Sequence, residues 1–177
     1  SGVAVDPDIA TGLSVILARG VDRAILPFPG TIPALQYAEV SLPIIHAARH
    51  LHLASFFLLD ELRPNIPRLF QEAQNSGASV SMDTNFDPAE AWDGGLREAL
   101  GHVDVFLPNA TEAKAIAGRE TTEDAINLFA ETVPLTAIKR GEHGAVLFGP
   151  ELTLFVPAVM LANIVDPTGA GDTFAGG

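Results

Sequence analysis

The order of apolar segments along the chain constrains its fold more than any other feature. Short apolar runs typical of buried strands alternate with segments of helical spacing. The strands are predicted at 50–57, 79–82, 103–107 and 135–139, and the helices at 63–74, 96–100, 110–117 and 121–132. Parallel neighbours need a long, usually helical crossover between them. The alternation therefore predicts an α/β three-layer sandwich with a mainly parallel central sheet.

Two hairpins and a short helix complete the expected elements. Apolar segments at 13–17 and 24–26 flank a turn at Gly20 and predict the first hairpin, and 145–148 and 152–156 predict the second. Ser41 followed by a proline predicts a short helix to about residue 49. The apolar run at 156–165 is expected to form strand, and the segment after it to begin a helix near Ala170.

Polar clusters directly follow four of the predicted strands, at 83–87, 109–112, 140–144 and 169–172. In open α/β sheets, ligands bind beyond the carboxyl ends of the strands. Because these clusters fall on the same expected edge, the sequence predicts that they form one site.

The segment from Asp166 to Gly177 places Gly169, Ala170, Gly171 and Asp172 at the start of a predicted helix. Glycines let successive backbone N–H groups converge on one point, and a helix start adds the positive end of its dipole. This predicts an anion hole with a carboxylate base beside it, the combination that phosphoryl transfer needs. The alternative is an ordinary glycine-rich turn with Asp172 as a first-turn acid.

Two of the clusters combine carboxylates with amides. Asp83, Asn85 and Asp87 suit polar contacts with a substrate or a phosphate-bound metal, although an Asx-turn cluster accounts for them equally well. Asn109 and Glu112 lie one helical turn apart and suit the organisation of magnesium on nucleotide phosphates. A plain N-cap with glutamate three residues later is an equally good interpretation of that pair.

The turn after the strand at 135–139 carries Gly141 and Gly144, three residues apart. It is a tight turn by default, and it would also let a nucleotide lie close to the backbone. The chain contains neither the P-loop pattern nor the six-residue glycine fingerprint for dinucleotides. A nucleotide would therefore be bound in another way.

Charge and residue usage exclude several classes of function. The net charge is −12 with two lysines and no basic run, so nucleic acid and anionic membranes are poor partners. The absence of cysteine excludes disulfide scaffolds and thiolate zinc sites, and a cytoplasmic location is the default expectation. His50 and His52 would share one strand face, but two imidazoles without a third ligand make a poor zinc site.

Together these motifs resemble the ribokinase-like (PfkB) carbohydrate kinases. The segment Asp166-Pro-Thr-Gly-Ala-Gly-Asp-Thr-Phe174 is similar to the C-terminal motif of that family. Asp83-Thr-Asn85 resembles its Asp-x-Asn segment, Asn109 to Glu112 its Asn-x-x-Glu motif, and Lys139 to Gly144 its nucleotide-contacting loop. Thr11-Gly12 resembles a Thr-Gly pair of the family, and the resemblance covers essentially the whole chain.

The resemblance implies roles for these residues. Asp172 would deprotonate the acceptor hydroxyl, and the N–H groups from Gly169 through Ala170 and Gly171 to Asp172 would stabilise the γ-phosphoryl group of ATP. Asn109 and Glu112 would organise Mg²⁺ and phosphates. The resemblance further implies that Lys139, Gly141 and Gly144 contact the nucleotide and that Asp83 and Asn85 contact substrate or phosphate. Asp166 and Thr168 would contribute to a possible K⁺ site.

This chain also departs from the family pattern in two respects. Many members carry arginine where this chain has Asp87, which puts a phosphate contact there in doubt. Family chains are longer, so residues 1–177 are expected to be one incomplete kinase domain that lacks parts at both ends, with strands near 11–30 belonging to a small β lid. The expected activity is ATP-dependent phosphorylation of a small sugar, with a possible homodimer formed through lid strands. A nucleoside kinase or a non-catalytic binding protein of the same fold is the alternative.

Overall fold

The computed structural model describes residues 2–3, 5–19, 22–160 and 168–177. Its strands are β1 Leu13–Arg19, β2 Asp22–Phe28, β3 His50–Ala54, β4 Ser79–Asp83, β5 Val105–Phe106, β6 Leu135–Lys139, β7 Ala145–Gly149 and β8 Leu152–Val156. Its α-helices are α1 Leu42–Ala47, α2 Ile66–Asn75, α3 Leu96–Leu100, α4 Ala110–Ala117, α5 Thr122–Ala130 and α6 Ala170–Gly176.

The central sheet has six strands in the order β3-β4-β5-β6-β7-β8. The first three pairings are parallel and the last two, β6 with β7 and β7 with β8, are antiparallel. The parallel strands are joined through helices, whereas the antiparallel strands follow one another through short turns, as expected for the two kinds of connection. The predicted α/β class with a mainly parallel central sheet is confirmed.

A second, two-stranded sheet is formed by β1 and β2, which pair antiparallel from Leu13 with Phe28 to Arg19 with Asp22. At the base of this sheet the backbone at Gly30 passes close to the backbone at Gly12. A Cβ built on Gly30 would lie 2.3 Å from the backbone nitrogen of Gly12. This hairpin is the small β unit predicted from the sequence.

The hydrophobic core lies between the central sheet and helices α2 to α5. Val80, Met82 and Phe106 line the sheet side and are fully buried. Phe106 meets Phe129 of α5 edge to face, with 5.2 Å between ring centroids. Core residues of this kind hold the strand ends, and therefore the polar clusters, in fixed positions. No helix in the part of the chain described above is long and apolar enough to cross a membrane.

Several element boundaries differ from the sequence prediction. Helix α1 ends at Ala47, α2 begins at Ile66 after a separate 3₁₀ turn at Arg63–Asn65, and β5 is limited to Val105–Phe106. Strand β3 ends at Ala54 instead of residue 57, because Ser55 has a φ of +63° and a 3₁₀ turn, Phe56–Leu58, follows it. Helix α5 ends at Ala130, two residues early. Residues 157–160 form no strand, and the rest of the run predicted as strand, 161–165, lies outside the described residues.

Candidate active site

The carboxyl ends of β4, β5 and β6 meet as predicted. Asp83 ends β4 and Lys139 ends β6, and the Lys139 Nζ donates a short charged hydrogen bond to Asp83 Oδ2. Each of these two side chains is only 16% exposed. Asn109, just after β5, forms an isolated parallel bridge with Lys139. Lys139 therefore connects three of the four predicted clusters.

Helix α6 brings the fourth cluster to the same place. Gly169 precedes the helix with a φ of +78°, and its carbonyl accepts a hydrogen bond of 2.8 Å from the N–H of Thr173. A Cβ built on Gly171 would lie 3.8 Å from the Lys139 Nζ, so the first helical turn lies beside the lysine. Asp172 is in that turn and is exposed.

A cavity of about 580 Å³ joins these elements. It is lined by most of the residues predicted for nucleotide and phosphate binding, namely Asn109, Lys139, Gly141, Gly144, Ala170 and Gly171. The remaining lining residues form an apolar wall that comes from β7, the end of β8 with the residues after it, and α6, namely Ala145, Val156, Pro157, Ala158 and Phe174. A cavity lined by apolar residues, a lysine and glycines suits a ligand with an apolar part and an anionic part.

Asn109 and Glu112 form a complete capping box at the start of α4. The Oδ1 of Asn109 accepts hydrogen bonds from the N–H groups of Thr111 and Glu112, both 2.9 Å long. In return, the Asn109 N–H donates to Glu112 Oε2 at 2.9 Å. The N-cap interpretation of this pair is therefore seen in the structure, and the box leaves Oε1 of Glu112 outside it.

Burial raises the pKa of Glu112 above its ordinary value of 4.5, although the hydrogen bond from the Asn109 backbone opposes the rise. Glu112 is only 6% exposed, and the nearby Asp83 raises its pKa further. A buried acid of this kind gains from a cation brought close to it. Glu112 is thus suited to a metal ion that arrives with a ligand.

The raised pKa predicts an unusual pH dependence for Glu112→Gln in the absence of ATP and magnesium. The folded protein holds this proton to higher pH than the unfolded chain does, so wild-type stability declines as pH rises from below 4.5 through the raised pKa. Glutamine cannot ionise and still offers an oxygen to the Asn109 N–H. Measured by thermal unfolding across that pH range, the variant should gain stability relative to wild type as pH rises. A constant difference between the two proteins would contradict this.

The described residues contain no group of three or more His, Asp or Glu side chains that could hold a metal ion. Magnesium usually keeps several waters and binds through one or two carboxylates together with phosphate oxygens. The Glu112 carboxylate, with the Asn109 cap beside it, fits that requirement.

The loop after β6 is a 3₁₀ turn, Gly141–His143, in which Gly141 and Gly144 both have positive φ, of 58° and 79°. Their surroundings differ. A Cβ on Gly141 would meet nothing within 4 Å, whereas one on Gly144 would lie 2.0 Å from the carbonyl oxygen of Val156. Gly144 therefore lets the loop pack against the chain just after β8, where the cavity wall is formed.

This difference predicts unequal effects of two matched substitutions. Gly141→Ala should lower the free energy of unfolding by about 1 kcal/mol, the penalty of placing a residue with a Cβ in the left-handed conformation. Gly144→Ala combines backbone strain with a backbone clash, so it should lower the free energy of unfolding by about 3 kcal/mol or more. It should also weaken the affinity for ATP. Urea unfolding and ATP titration of both variants test this. Equal losses would show that the contact with Val156 is unimportant.

The segment after β4 is held by its own hydrogen bonds. The Oδ1 of Asp83 accepts from the N–H of Asn85 at 3.1 Å, and the Nδ2 of Asn85 donates to Ser55 Oγ at 3.3 Å. Asp87, which the sequence raised as a position of inverted charge, is only 4% exposed and accepts hydrogen bonds from backbone N–H groups. The Asx-type interpretation of this cluster therefore describes its local geometry.

The histidines of β3 belong to a hydrogen-bonded row. His50 bonds Ser79 Oγ and Ser81 Oγ, and His52 bonds the same Ser81 Oγ, each at 2.7 Å. The prediction that His50 and His52 share a strand face is correct. His52 is exposed, yet partial burial of its ring lowers its pKa below 6.5, against the opposing effect of the Asp83 and Asp172 carboxylates.

Asp166 lies outside the described residues, and Thr168 lies directly before Gly169, so the predicted potassium site stays a prediction. The partnership of Lys139 with Asp83 was missed, because the two residues are 56 positions apart. The sequence signal for a partner was the position of Lys139 at the end of a predicted buried strand.

Comparison with known proteins relates this chain to kinases. Residues 1–177 match the family described as pfkB family carbohydrate kinase. The chain is 41% identical over 85 residues to a cytidine kinase of Thermococcus kodakarensis, an alignment that covers 46% of this chain and 30% of that protein. It is 29% identical over 159 residues to an uncharacterized sugar kinase of Archaeoglobus fulgidus, covering 88% of this chain and 61% of that protein.

A solved structure shows the same arrangement of elements. The crystal structure of a putative ribokinase II from E. coli, in complex with ATP and Mg²⁺, is similar with a TM-score of 0.81 at 25% identity. The match covers 96% of this chain and 57% of that one, so the chain spans less than two thirds of these proteins. Because the family match extends over every residue, the chain belongs to the pfkB family of carbohydrate kinases.

Proposed function

We propose that the protein containing this chain is an ATP-dependent kinase that transfers the γ-phosphoryl group of ATP to a hydroxyl of a small carbohydrate. The observation that carries the proposal is the position of Lys139 beside the first turn of α6, at a cavity whose other wall is apolar. Phosphoryl transfer depends mainly on positioning and on stabilisation of charge. A lysine, the N–H groups in the first turn of α6 and a carboxylate would supply these needs.

Asp172 is the proposed general base. Its carboxylate accepts the proton of the acceptor hydroxyl as the hydroxyl oxygen forms a bond to the γ-phosphorus. The bond from that phosphorus to the β,γ-bridging oxygen breaks, and ADP leaves. The N–H groups of Gly169, Ala170, Gly171 and Asp172, with the Lys139 ammonium, stabilise the charge on the transferring group.

The nucleotide is proposed to lie in the cavity, with the adenine against the apolar wall and the phosphates towards Lys139 and Asn109. Magnesium would neutralise phosphate charge, and Glu112 with Asn109 would hold it. Asp83 and Asn85 are proposed to contact substrate or phosphate, and Asp166 and Thr168 to form a potassium site.

A nucleoside is the second candidate acceptor. The cytidine kinase shares 41% identity with part of this chain, a higher value than the sugar kinase gives over a longer stretch. Both acceptors present an alcohol to the same base, so the chemistry at Asp172 would be unchanged.

The proposed homodimer through the β1–β2 sheet is supported by exposed apolar side chains on that sheet, such as Leu13 and Phe28, which are 65% and 54% exposed. Apolar groups exposed together favour an interface. The cytoplasmic location also stays a prediction.

A panel assay tests the function. Protein expressed from the complete reading frame that contains this chain is supplied with MgATP and one acceptor at a time, from hexoses, pentoses, sugar acids, sugar phosphates and nucleosides. Release of ADP above the acceptor-free rate with a sugar supports the carbohydrate kinase. Release only with nucleosides selects the second candidate. ATP binding without acceptor-dependent ADP would indicate a non-catalytic binding protein.

A further inference from the structure

The segment between β4 and α3 adopts a backbone that needs support. Three of its non-glycine residues, Asn85, Glu90 and Trp92, have positive φ values of 58°, 51° and 54°. Such conformations are unfavourable for residues with a Cβ and persist only where the surroundings hold them. The segment also begins inside the candidate site, at Asn85.

Asp87 provides much of that support. Its Oδ1 accepts a hydrogen bond from the N–H of Ala89 at 3.0 Å, and its Oδ2 accepts from Ala91 at 2.9 Å and Trp92 at 2.7 Å. Its own carbonyl accepts from the N–H of Glu90 at 3.0 Å. The residue is 4% exposed, so its carboxylate is satisfied by the segment itself instead of by solvent.

Aromatic packing fixes the same segment to the 3₁₀ turn that follows β3. The Trp92 ring meets Phe57 edge to face at 5.6 Å and Phe86 edge to face at 5.3 Å. Because Asp87 holds the Trp92 backbone, it also sets where this ring packs. Phe86 is the residue directly after Asn85, so the packing reaches the candidate site.

Hydrogen bonds then connect the segment with the charged pair. The N–H of Asn85 donates to Asp83 Oδ1, and Asp83 Oδ2 accepts from the Lys139 ammonium. The orientation of Asp83, and through it that of Lys139, therefore depends on where Asn85 lies. Asn85 in turn is two residues from the buried Asp87 carboxylate.

We propose that Asp87 is a positioning residue for phosphoryl transfer, which holds Asn85 and the Asp83–Lys139 pair in place without touching the substrate. The inference rests on the proposed function of the site. It assigns this acidic residue a role different from a phosphate contact, because the carboxylate points at backbone N–H groups of its own segment.

Three substitutions at this position separate the possibilities in protein from the complete reading frame: Asp87→Asn, Asp87→Ala and Asp87→Arg. Alanine and arginine remove all three accepted hydrogen bonds and should lower kcat by about 100-fold, as misplacement of catalytic groups does. Asp87→Asn keeps one of the two accepting oxygens and should lower kcat by about tenfold. The KM for ATP should change much less than kcat, since the apolar residues proposed to contact the adenine lie outside this segment. Asp93→Asn, at an exposed position soon after Trp92, is the control and should be unchanged.

Rates are expressed per folded molecule, measured by circular dichroism, and hydrogen exchange of residues 85–92 is followed in parallel. Faster exchange together with lower kcat in Asp87→Asn supports the proposal, even if the alanine variant does not fold. Faster exchange with wild-type kcat would overturn it, leaving a purely structural role. A lower KM for ATP in Asp87→Arg would also overturn it in favour of a phosphate contact. Failure of the proposed function is distinct, because wild-type protein would then phosphorylate no acceptor.

Discussion

Asp172→Asn is expected to lower kcat by about 10² to 10⁴, the usual contribution of a general base. Asparagine is nearly the same size and leaves the helix α6 in place, but it cannot take the proton of the acceptor hydroxyl. Because Asp172 is exposed in the first turn of α6, the change should cost little stability. Steady-state rates with saturating ATP and acceptor, in protein from the complete reading frame, measure the effect.

The control for this prediction is Glu142→Gln, which removes an exposed acid from the neighbouring Gly141–His143 turn. It should leave kcat unchanged, so that a loss in Asp172→Asn cannot be ascribed to the reduced negative charge alone. ATP affinity measured by titration should be similar for Asp172→Asn and wild type. Normal turnover in Asp172→Asn would remove the residue from its proposed role.

Lys139→Met is expected to lower kcat/KM for ATP by about 10² to 10³, the effect of removing one preorganised charged donor. The substitution deletes the positive charge beside Gly171 and leaves the Asp83 carboxylate, only 16% exposed, without its charged partner. Stability should therefore fall as well, because an unpaired charge of low exposure is unfavourable. Kinetics and thermal unfolding are measured on the same preparation.

A double variant, Asp83→Asn with Lys139→Met, separates the two effects of that change. It removes both charges, so it should recover stability relative to Lys139→Met without recovering activity. Lys114→Met, at the other lysine of the chain, is the matched control. A double variant with wild-type kcat/KM would show that the ion pair is structural only.

Local signals in the sequence predicted the elements best. The bounds of β6 and α4 were predicted correctly, because an apolar run sets the first and an asparagine cap and Gly118 set the second. The end of β3 was wrong because Ser55 adopts a left-handed conformation beside Asn85, a contact made across 30 residues of sequence. No local pattern reports such a contact.

The candidate site follows the same rule. Its edge of the sheet could be predicted, because parallel strands place their carboxyl ends together. Which side chain would pair with which could not be predicted, as Asp83 with Lys139 shows. The buried position of Asp87 was also missed, because an aspartate before a proline predicts a solvent-exposed turn and its partners are backbone groups.

The most direct test of the proposed function is a single stoichiometric measurement. Wild-type protein from the complete reading frame is incubated with MgATP and its best acceptor, and phosphorylated acceptor, ADP and free phosphate are quantified together by mass spectrometry and a phosphate assay. Direct transfer at Asp172 predicts equal amounts of phosphorylated acceptor and ADP, with free phosphate at the background level. ADP that appears only with free phosphate, or ATP that is bound and left intact, would contradict the account.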